Sequence, residues 1–130
     1  MTTEQRTPAC PGTNIENQPF FDAAADGRFV LKHCEGCGQF HHYPRAICPH
    51  CFSDKTSWKD SAGNGTIYSF SVMRRVPQPY ALAYVTLDEG LTLMSNVVDA
   101  DLDALAIGQR VKVAFRKTDG DVTVPVFVPA

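Results

Sequence analysis

The sequence predicts a mainly β fold, and three features of the 130-residue chain lead to that prediction. Two Cys-x2-Cys pairs lie ten residues apart, a short amphipathic segment precedes them, and apolar residues alternate with polar ones from Gly65 onward. Cysteine pairs with this spacing predict a small metal-bound ribbon, and period-two alternation predicts strands with one buried face. We therefore expect an N-terminal helix and a rubredoxin-like zinc ribbon, followed by a five-stranded OB-fold barrel.

Composition divides the chain into three parts. Residues 1–16 lack hydrophobic periodicity, so we expect a disordered tail that carries the odd cysteine, Cys10. Residues 17–57 contain the helix and the ribbon, and residues 58–130 contain the barrel. A chain of this length with 44% hydrophobic residues can bury one compact core and hold a small metal-bound module beside it.

The predicted helix begins at Asn17 or Gln18. Pro19 suits the first helical turn, and Gly27 is a suitable stop. The residues expected on one apolar face are Phe20, Phe21, Ala24 and Ala25. Two interpretations of this face stay open, because it can pack against its own domain or dock a partner protein.

The two cysteine pairs predict a single metal site with the ligands Cys34, Cys37, Cys48 and Cys51. Four thiolates complete a tetrahedral site, so the metal is expected to stabilise the fold and to offer no position to a substrate. Iron uses the same ligands, and the sequence does not separate it from zinc; we prefer zinc because nothing else in the chain indicates redox chemistry. The neighbouring histidines are not needed as ligands.

Five segments after Gly65 alternate as strands do. Their predicted inward-facing residues are Tyr68, Phe70 and Val72; Ala81, Ala83, Val85 and Leu87; Leu91, Leu93 and Val97; Val111, Val113 and Phe115; and Val122, Val124, Val126 and Val128. A hairpin is expected at residues 88–90 and another at residues 119–121. Five strands with a connecting segment after the third favour a Greek-key barrel of the OB type, with a simple meander as the alternative.

The sequence contains no catalytic motif that fixes local geometry, such as a nucleophile elbow or a phosphate-binding glycine loop. Twelve basic and fourteen acidic residues give a net charge of −2, which argues against nucleic acid as the partner. We see no apolar run of membrane-spanning length and no secretory leader, so we expect a cytoplasmic protein without a membrane span. Whether the chain is catalytic alone stays open, although we expect it not to be.

The order of these motifs resembles a known family. The motifs that carry the resemblance are PFFDAA at residues 19–24, GRFVLKHC at 27–34, CGQFHHYPR at 37–45, CPHC at 48–51, GTIYSF at 65–70, PYALAYV at 79–85, LDEG at 87–90 and IGQRVKV at 107–113. In this order they are similar to the zinc-ribbon and OB-fold accessory proteins that partner thiolase-type acyl-CoA enzymes, a family long catalogued as a domain of unknown function. The resemblance extends from about residue 15 to the end of the chain.

The resemblance implies a non-catalytic subunit of a hetero-oligomer. The catalytic subunit would be a thiolase-fold acyltransferase, synthase or retro-aldolase, or a hydratase, that acts on acyl-CoA thioesters. The helix and ribbon would dock this subunit, with Phe20, Phe21 and Phe29 as candidate contacts, and the barrel would help to form the CoA-thioester channel. Arg74 and Arg75 are candidates for binding the CoA phosphates. A stand-alone OB-fold module that binds nucleic acid or acyl-CoA is the alternative.

Overall fold

The computed structural model describes residues 7–130, which form one short helix and eight strands. Residues 1–6 of the predicted tail lie outside the described residues. In chain order the elements are α1 (Gln18–Ala25), β1 (Val30–Cys34), β2 (Phe40–His41), β3 (Thr56–Asp60), β4 (Asn64–Met73), β5 (Tyr80–Leu87), β6 (Thr92–Val97), β7 (Arg110–Lys117) and β8 (Thr123–Pro129). Within residues 7–130, no helix has the length and apolar character needed to cross a membrane.

The helix forms where the sequence places it, with proline in its first turn and a left-handed Gly27 (φ 75°) just after its end. Its buried side chains are Phe20, Phe21, Ala23 and Ala24. The prediction that Ala25 shares the buried face is wrong, because Ala23 lies there and Ala25 is exposed. The apolar stripe of an eight-residue helix is narrow, so a small rotation about the helix axis buries Ala23 in place of Ala25.

Asn17 precedes the helix but does not cap it with its side chain. Its amide oxygen accepts a hydrogen bond from the backbone N–H of Asn14 (2.8 Å), and its amide nitrogen donates to the hydroxyl of Tyr43 (2.9 Å). Farther towards the N-terminus, the backbone N–H of Cys10 donates to Asp119 Oδ1 (2.9 Å). Residues 7–16 contain no helix or strand, yet these bonds connect them to the ribbon and to the barrel.

The ribbon contains a three-stranded antiparallel sheet with the order β2-β1-β3. The sequence did not predict β3, which pairs with the whole length of β1 from Val30↔Asp60 to Cys34↔Thr56. Trp58 is the one large apolar residue of β3, so the segment has no alternation by which a strand is recognised. Lys32 of β1 places its ammonium 4.4 Å from the centre of the Trp58 ring, a cation–π contact across the two strands.

The remaining five strands close into a barrel with the order β4-β5-β6-β8-β7. Strands β6 and β8 pair in parallel through Val97 and Phe127, while β7 returns to pair with β4. This order confirms the Greek-key barrel of the OB type and excludes the meander, in which β6 would pair with β7. Both expected hairpins are present, and Gly90 (φ 99°) takes the left-handed conformation in the first of them.

Tyr68 does not lie in the barrel core, contrary to the prediction. The register of β4 with β5 shifts between Ile67 and Ser69, which leaves Tyr68 as an additional residue in a β-bulge. Ile67 before the bulge is buried, whereas Tyr68 is 68% exposed. An unbroken period of two is therefore the assumption that failed at this strand.

The helix, the ribbon and the barrel share one hydrophobic core. Phe29 packs edge-to-face against Phe20 (6.1 Å between ring centroids) on one side and against Phe127 of the barrel (6.2 Å) on the other. Leu31 of the ribbon belongs to the same cluster and is 1% exposed. The division at residues 57 and 58 stays a prediction, and strand β3 runs across it.

We predict that Gly65→Ala destabilises the protein by about 1–3 kcal/mol, because a methyl group there has no room. A Cβ at residue 65 would lie 2.7 Å from Val85 Cγ1 and 2.9 Å from the Thr86 carbonyl oxygen. Urea unfolding at constant zinc concentration, followed by circular dichroism, measures the change. Gly12→Ala is the matched control, since nothing lies within 4 Å of its added Cβ. Equal unfolding midpoints for the two variants would contradict the close packing of β4 on β5.

Candidate metal centre

The four predicted ligands converge at one point in the ribbon. Their sulfur atoms lie within 4.8 Å of one another. Cys34 Sγ is 3.5 Å from Cys51 Sγ, and Cys37 Sγ is 3.7 Å from Cys48 Sγ. Tetrahedral zinc with Zn–S distances of about 2.3 Å separates its sulfur ligands by roughly 3.8 Å. The donor set and its spacing therefore fit one zinc ion with four thiolate ligands.

Each cysteine pair lies in a knuckle, and the two knuckles are built alike. The carbonyl of Cys34 accepts a hydrogen bond from the N–H of Gly38 (2.8 Å), and the carbonyl of Cys48 accepts one from the N–H of Phe52 (2.9 Å). One residue farther on, the carbonyls of residues 39 and 53 accept bonds from the N–H groups of Cys34 and Cys48, both at 2.9 Å. The repeated pattern gives the two knuckles the same backbone turn, and their sulfur atoms converge on one point.

Hydrogen bonds and charge set different pKa values within the cluster. A hydrogen bond from the N–H of Cys37 is the main reason that the pKa of Cys34 is lowered to about 7. At Cys37 a backbone bond from Gln39 lowers the pKa, but burial and the three neighbouring sulfurs outweigh it and raise the pKa to about 12. One thiolate opposes the ionisation of the next, and a divalent cation removes that repulsion.

The histidines near the cluster form polar contacts that hold the surrounding loops in place. His33 contacts the Gly38 carbonyl through Nε2 (3.2 Å) and Glu35 Oε1 through Nδ1 (3.2 Å). Ser57 of β3 donates to the same glutamate oxygen (2.5 Å), and these two hydrogen bonds lower the pKa of Glu35. A buried His41 accepts a hydrogen bond from the N–H of Arg45 (3.3 Å). These contacts join the first knuckle to the sheet beside it.

Phe52 is a feature that sequence reasoning missed. It takes a left-handed backbone conformation (φ 65°), and its side chain is 80% exposed. The equivalent residue of the first knuckle is Gly38 (φ 76°), for which this conformation carries no steric penalty. Comparing the residue that follows Cys37 with the residue that follows Cys51 would have revealed the position from sequence.

The three phenylalanines predicted to dock a partner lie inside the protein. Phe20, Phe21 and Phe29 are 4%, 6% and 4% exposed, and they pack against one another and against Phe127. Their rings therefore contact this chain's own core. A docking role for them stays a prediction.

Arg74 and Arg75 lie together in the exposed connection between β4 and β5. Arg74 pairs with Asp103 at 2.8 Å, and both side chains are largely exposed. Arg75 makes no ion pair or hydrogen bond with the residues that the structure describes. The role of these arginines in CoA binding also stays a prediction.

Fold and metal site together define a zinc-ribbon protein with a closed four-cysteine centre joined to an OB-fold barrel. Residues 21–57 match the family model described as the ChsH2 rubredoxin-like zinc ribbon domain, and residues 58–116 match the ChsH2 C-terminal OB-fold domain. The chain is also 34% identical over 98 residues to a DUF35 domain-containing scaffold protein of Methanocaldococcus jannaschii, covering 68% of this chain and 69% of that protein. The chain belongs to the DUF35 family of zinc-ribbon and OB-fold proteins, which confirms the family indicated by the sequence motifs.

Two further similarities concern larger or assembled proteins. The chain is 36% identical over 136 residues to a probable enoyl-CoA hydratase alpha subunit of Thermomonospora curvata; the match covers 98% of this chain but 43% of that protein. This chain thus spans less than half of that relative. Among solved structures, one named Ltp2-ChsH2(DUF35) aldolase has a chain with a TM-score of 0.82 and 35% identity, covering 92% of this chain and 98% of that one.

We predict that Cys51→Ser removes zinc from the protein and unfolds the ribbon, because a site with three thiolates holds the metal far more weakly and metal binding is coupled to folding. Atomic emission is expected to give about one zinc per wild-type chain and well below half for the variant. Cys10→Ser is the control, since Cys10 lies outside the cluster. A full zinc content in Cys51→Ser would show that four cysteines are not required.

We predict that Phe52→Gly stabilises the isolated, zinc-loaded chain by about 1 kcal/mol, since glycine tolerates the left-handed conformation and the phenyl ring is exposed. Gly38→Ala at the equivalent position should destabilise it by a similar amount. Thermal unfolding with zinc in excess measures both changes. A loss of stability in Phe52→Gly would mean that the ring contributes to the folded state of the isolated chain.

Proposed function

We propose that this protein is a non-catalytic accessory subunit of a thiolase-fold enzyme that acts on acyl-CoA thioesters. The observation that carries the proposal is its likeness to the DUF35 chain of the Ltp2-ChsH2 aldolase, which extends over 98% of that chain. The name of that structure pairs the DUF35 protein ChsH2 with a second protein, Ltp2, and calls the pair an aldolase, which is a carbon–carbon lyase. The scaffold name of the Methanocaldococcus jannaschii relative supports the same class of function.

The metal centre supports a structural role. Four thiolates occupy all positions of a tetrahedral zinc ion, so no position is left to polarise a carbonyl or to activate water. A serine, a glutamate and a histidine do meet on the ribbon, but Ser57 and His33 both contact the same oxygen of Glu35. Nucleophilic catalysis needs the imidazole next to the hydroxyl, and here the carboxylate takes that place.

Docking through the helix and the ribbon is part of the proposal. Because Phe20, Phe21 and Phe29 are covered by this chain, direct contacts would come from exposed side chains elsewhere on the ribbon. Phe52 is 80% exposed and Ile47 is 47% exposed, and both belong to the segment that carries the second cysteine pair. Large apolar side chains on a rigid support are typical anchors in protein interfaces.

The barrel is proposed to help form the CoA-thioester channel of the complex. The arginine pair lies at one rim of the barrel, in a connection that Pro77 and Pro79 stiffen. Arg75 is available to an anion, whereas Arg74 must exchange its contact with Asp103. Guanidinium groups are suited to phosphate because they donate two parallel hydrogen bonds. A cytoplasmic location stays a prediction.

Affinity purification of the tagged protein from its native cell, followed by mass spectrometry, tests the proposal. We expect a thiolase-fold enzyme, or a hydratase, to co-elute in near-equal amount and to act on CoA thioesters. A chain that elutes alone, monomeric and with its full zinc content would contradict the proposal. Salt-sensitive binding to DNA or RNA by that chain would instead support a stand-alone module.

We predict that Arg74→Ala/Arg75→Ala weakens the affinity of the complex for a CoA thioester by about tenfold, as expected from the loss of charge-assisted hydrogen bonds to phosphate. Isothermal titration with the purified complex measures this affinity. The matched control, Arg28→Ala/Lys59→Ala, removes the same charge from exposed ribbon residues. Equal affinity of the two double variants would remove the arginines from the CoA site while leaving the accessory role intact.

A further inference from the structure

A cavity of about 270 Å³, which is open to solvent, lies where helix α1 and residues 8–11 meet strands β6 and β8. Phe20, Phe21 and Phe29 form one wall, and Leu93 and Val126 belong to the barrel side. No Asp, Glu, Lys or Arg is among the described residues that line it. The cavity is therefore uncharged and mostly apolar, and it is separate from the metal centre and from the arginine pair.

His42 is one of four polar residues in the lining, and the other three, Tyr43, Ser95 and Asn96, already take part in hydrogen bonds. The ring of His42 packs against Phe20 (5.2 Å between centroids) and Tyr43 (5.1 Å), and it borders the cavity. Neither of its ring nitrogens has a hydrogen-bond partner in residues 7–130, whereas the hydroxyl of the adjacent Tyr43 accepts a hydrogen bond from Asn17. An imidazole without a partner beside an apolar space leaves one polar group available to a ligand.

The protonation state of His42 limits the chemistry of that ligand. Burial, with a smaller effect from His41, lowers the pKa of His42 to about 4, so the ring is neutral near pH 7. A neutral imidazole has one N–H donor and one acceptor nitrogen. A ligand carbonyl can accept from the donor, and a hydroxyl can use either nitrogen. A carboxylate would lose its hydration and gain no opposite charge, which is unfavourable.

We propose that this cavity binds a small uncharged molecule with an apolar body and a single carbonyl or hydroxyl group directed at His42. Its volume sets the size of the ligand. An enclosed apolar cavity of about 150 Å³ holds benzene, and scaling by volume gives this open cavity room for roughly ten to twelve non-hydrogen atoms. The site lies within one chain, and binding there requires no partner protein.

Fluorine NMR titration of the full-length, zinc-loaded chain tests the proposal. The probe is 4-fluoroacetophenone, a neutral aromatic ketone of suitable size, and 4-fluorobenzoate is its charged counterpart. We expect saturable binding of the ketone and binding of the carboxylate that is at least tenfold weaker. Absence of saturable ketone binding would overturn the proposal, and so would equal affinity for the two probes.

Two variants locate the bound probe. Met94→Trp places a large ring on an exposed residue that lines the cavity, and we expect it to weaken ketone binding at least tenfold. Met73→Trp makes the same change on an exposed residue of β4 outside the lining and should leave binding unchanged. Equal affinity of the two variants would place the probe elsewhere and overturn the proposal. Unfolding temperatures near that of the wild type show that both variants fold.

His42→Phe keeps the ring and removes its nitrogens. Loss of one hydrogen bond should weaken 4-fluoroacetophenone binding by about threefold to tenfold. Binding of fluorobenzene, which has no hydrogen-bonding group, should stay the same. Equal losses for both probes would mean that the variant alters the shape of the cavity and would contradict a polar role for His42.

Discussion

The convergence of four cysteine sulfurs is the constraint on which the rest of this structure depends. The ribbon is small, and its sheet contains strands of five, two and five residues, which bury little apolar surface by themselves. Zinc binding contributes on the order of 10 kcal/mol to folding in sites of this kind. Cys34 is both the first ligand and the last residue of β1, so the metal holds the strand that leads back to the core.

From that strand the constraint extends to the barrel through side-chain packing. Leu31 and Phe29 lie close to the cage in sequence and belong to the same buried cluster as Phe127 of β8. Helix α1 covers this junction with two further phenylalanines. The ribbon and the barrel are therefore fixed to each other, since neither part can turn without disrupting the shared core.

The features that the sequence could predict are those that local chemistry determines. Cysteine spacing specifies the cage, glycine marks the hairpin at residue 90, and alternation specifies most barrel strands. Other features depend on the rest of the molecule. Strand β3 forms because it pairs with the free edge of β1. Tyr68 points outward because of a β-bulge that the residues of β4 do not predict. Adjacent phenylalanines indicate a buried face but cannot indicate whether this chain or a partner buries it. The arginine pair was singled out by its place in a loop between two strands, and its role in CoA binding stays a prediction.

We propose that the catalytic chemistry of the complex lies on another subunit and that this chain supports it structurally. The most direct test is to measure turnover of a CoA thioester by the co-purified enzyme alone, by this chain alone and by the reconstituted complex. We expect the complex to be at least tenfold more active than the enzyme alone, and this chain alone to show no activity above the buffer. Turnover by the isolated chain, or equal turnover by the enzyme with and without it, would contradict the accessory role.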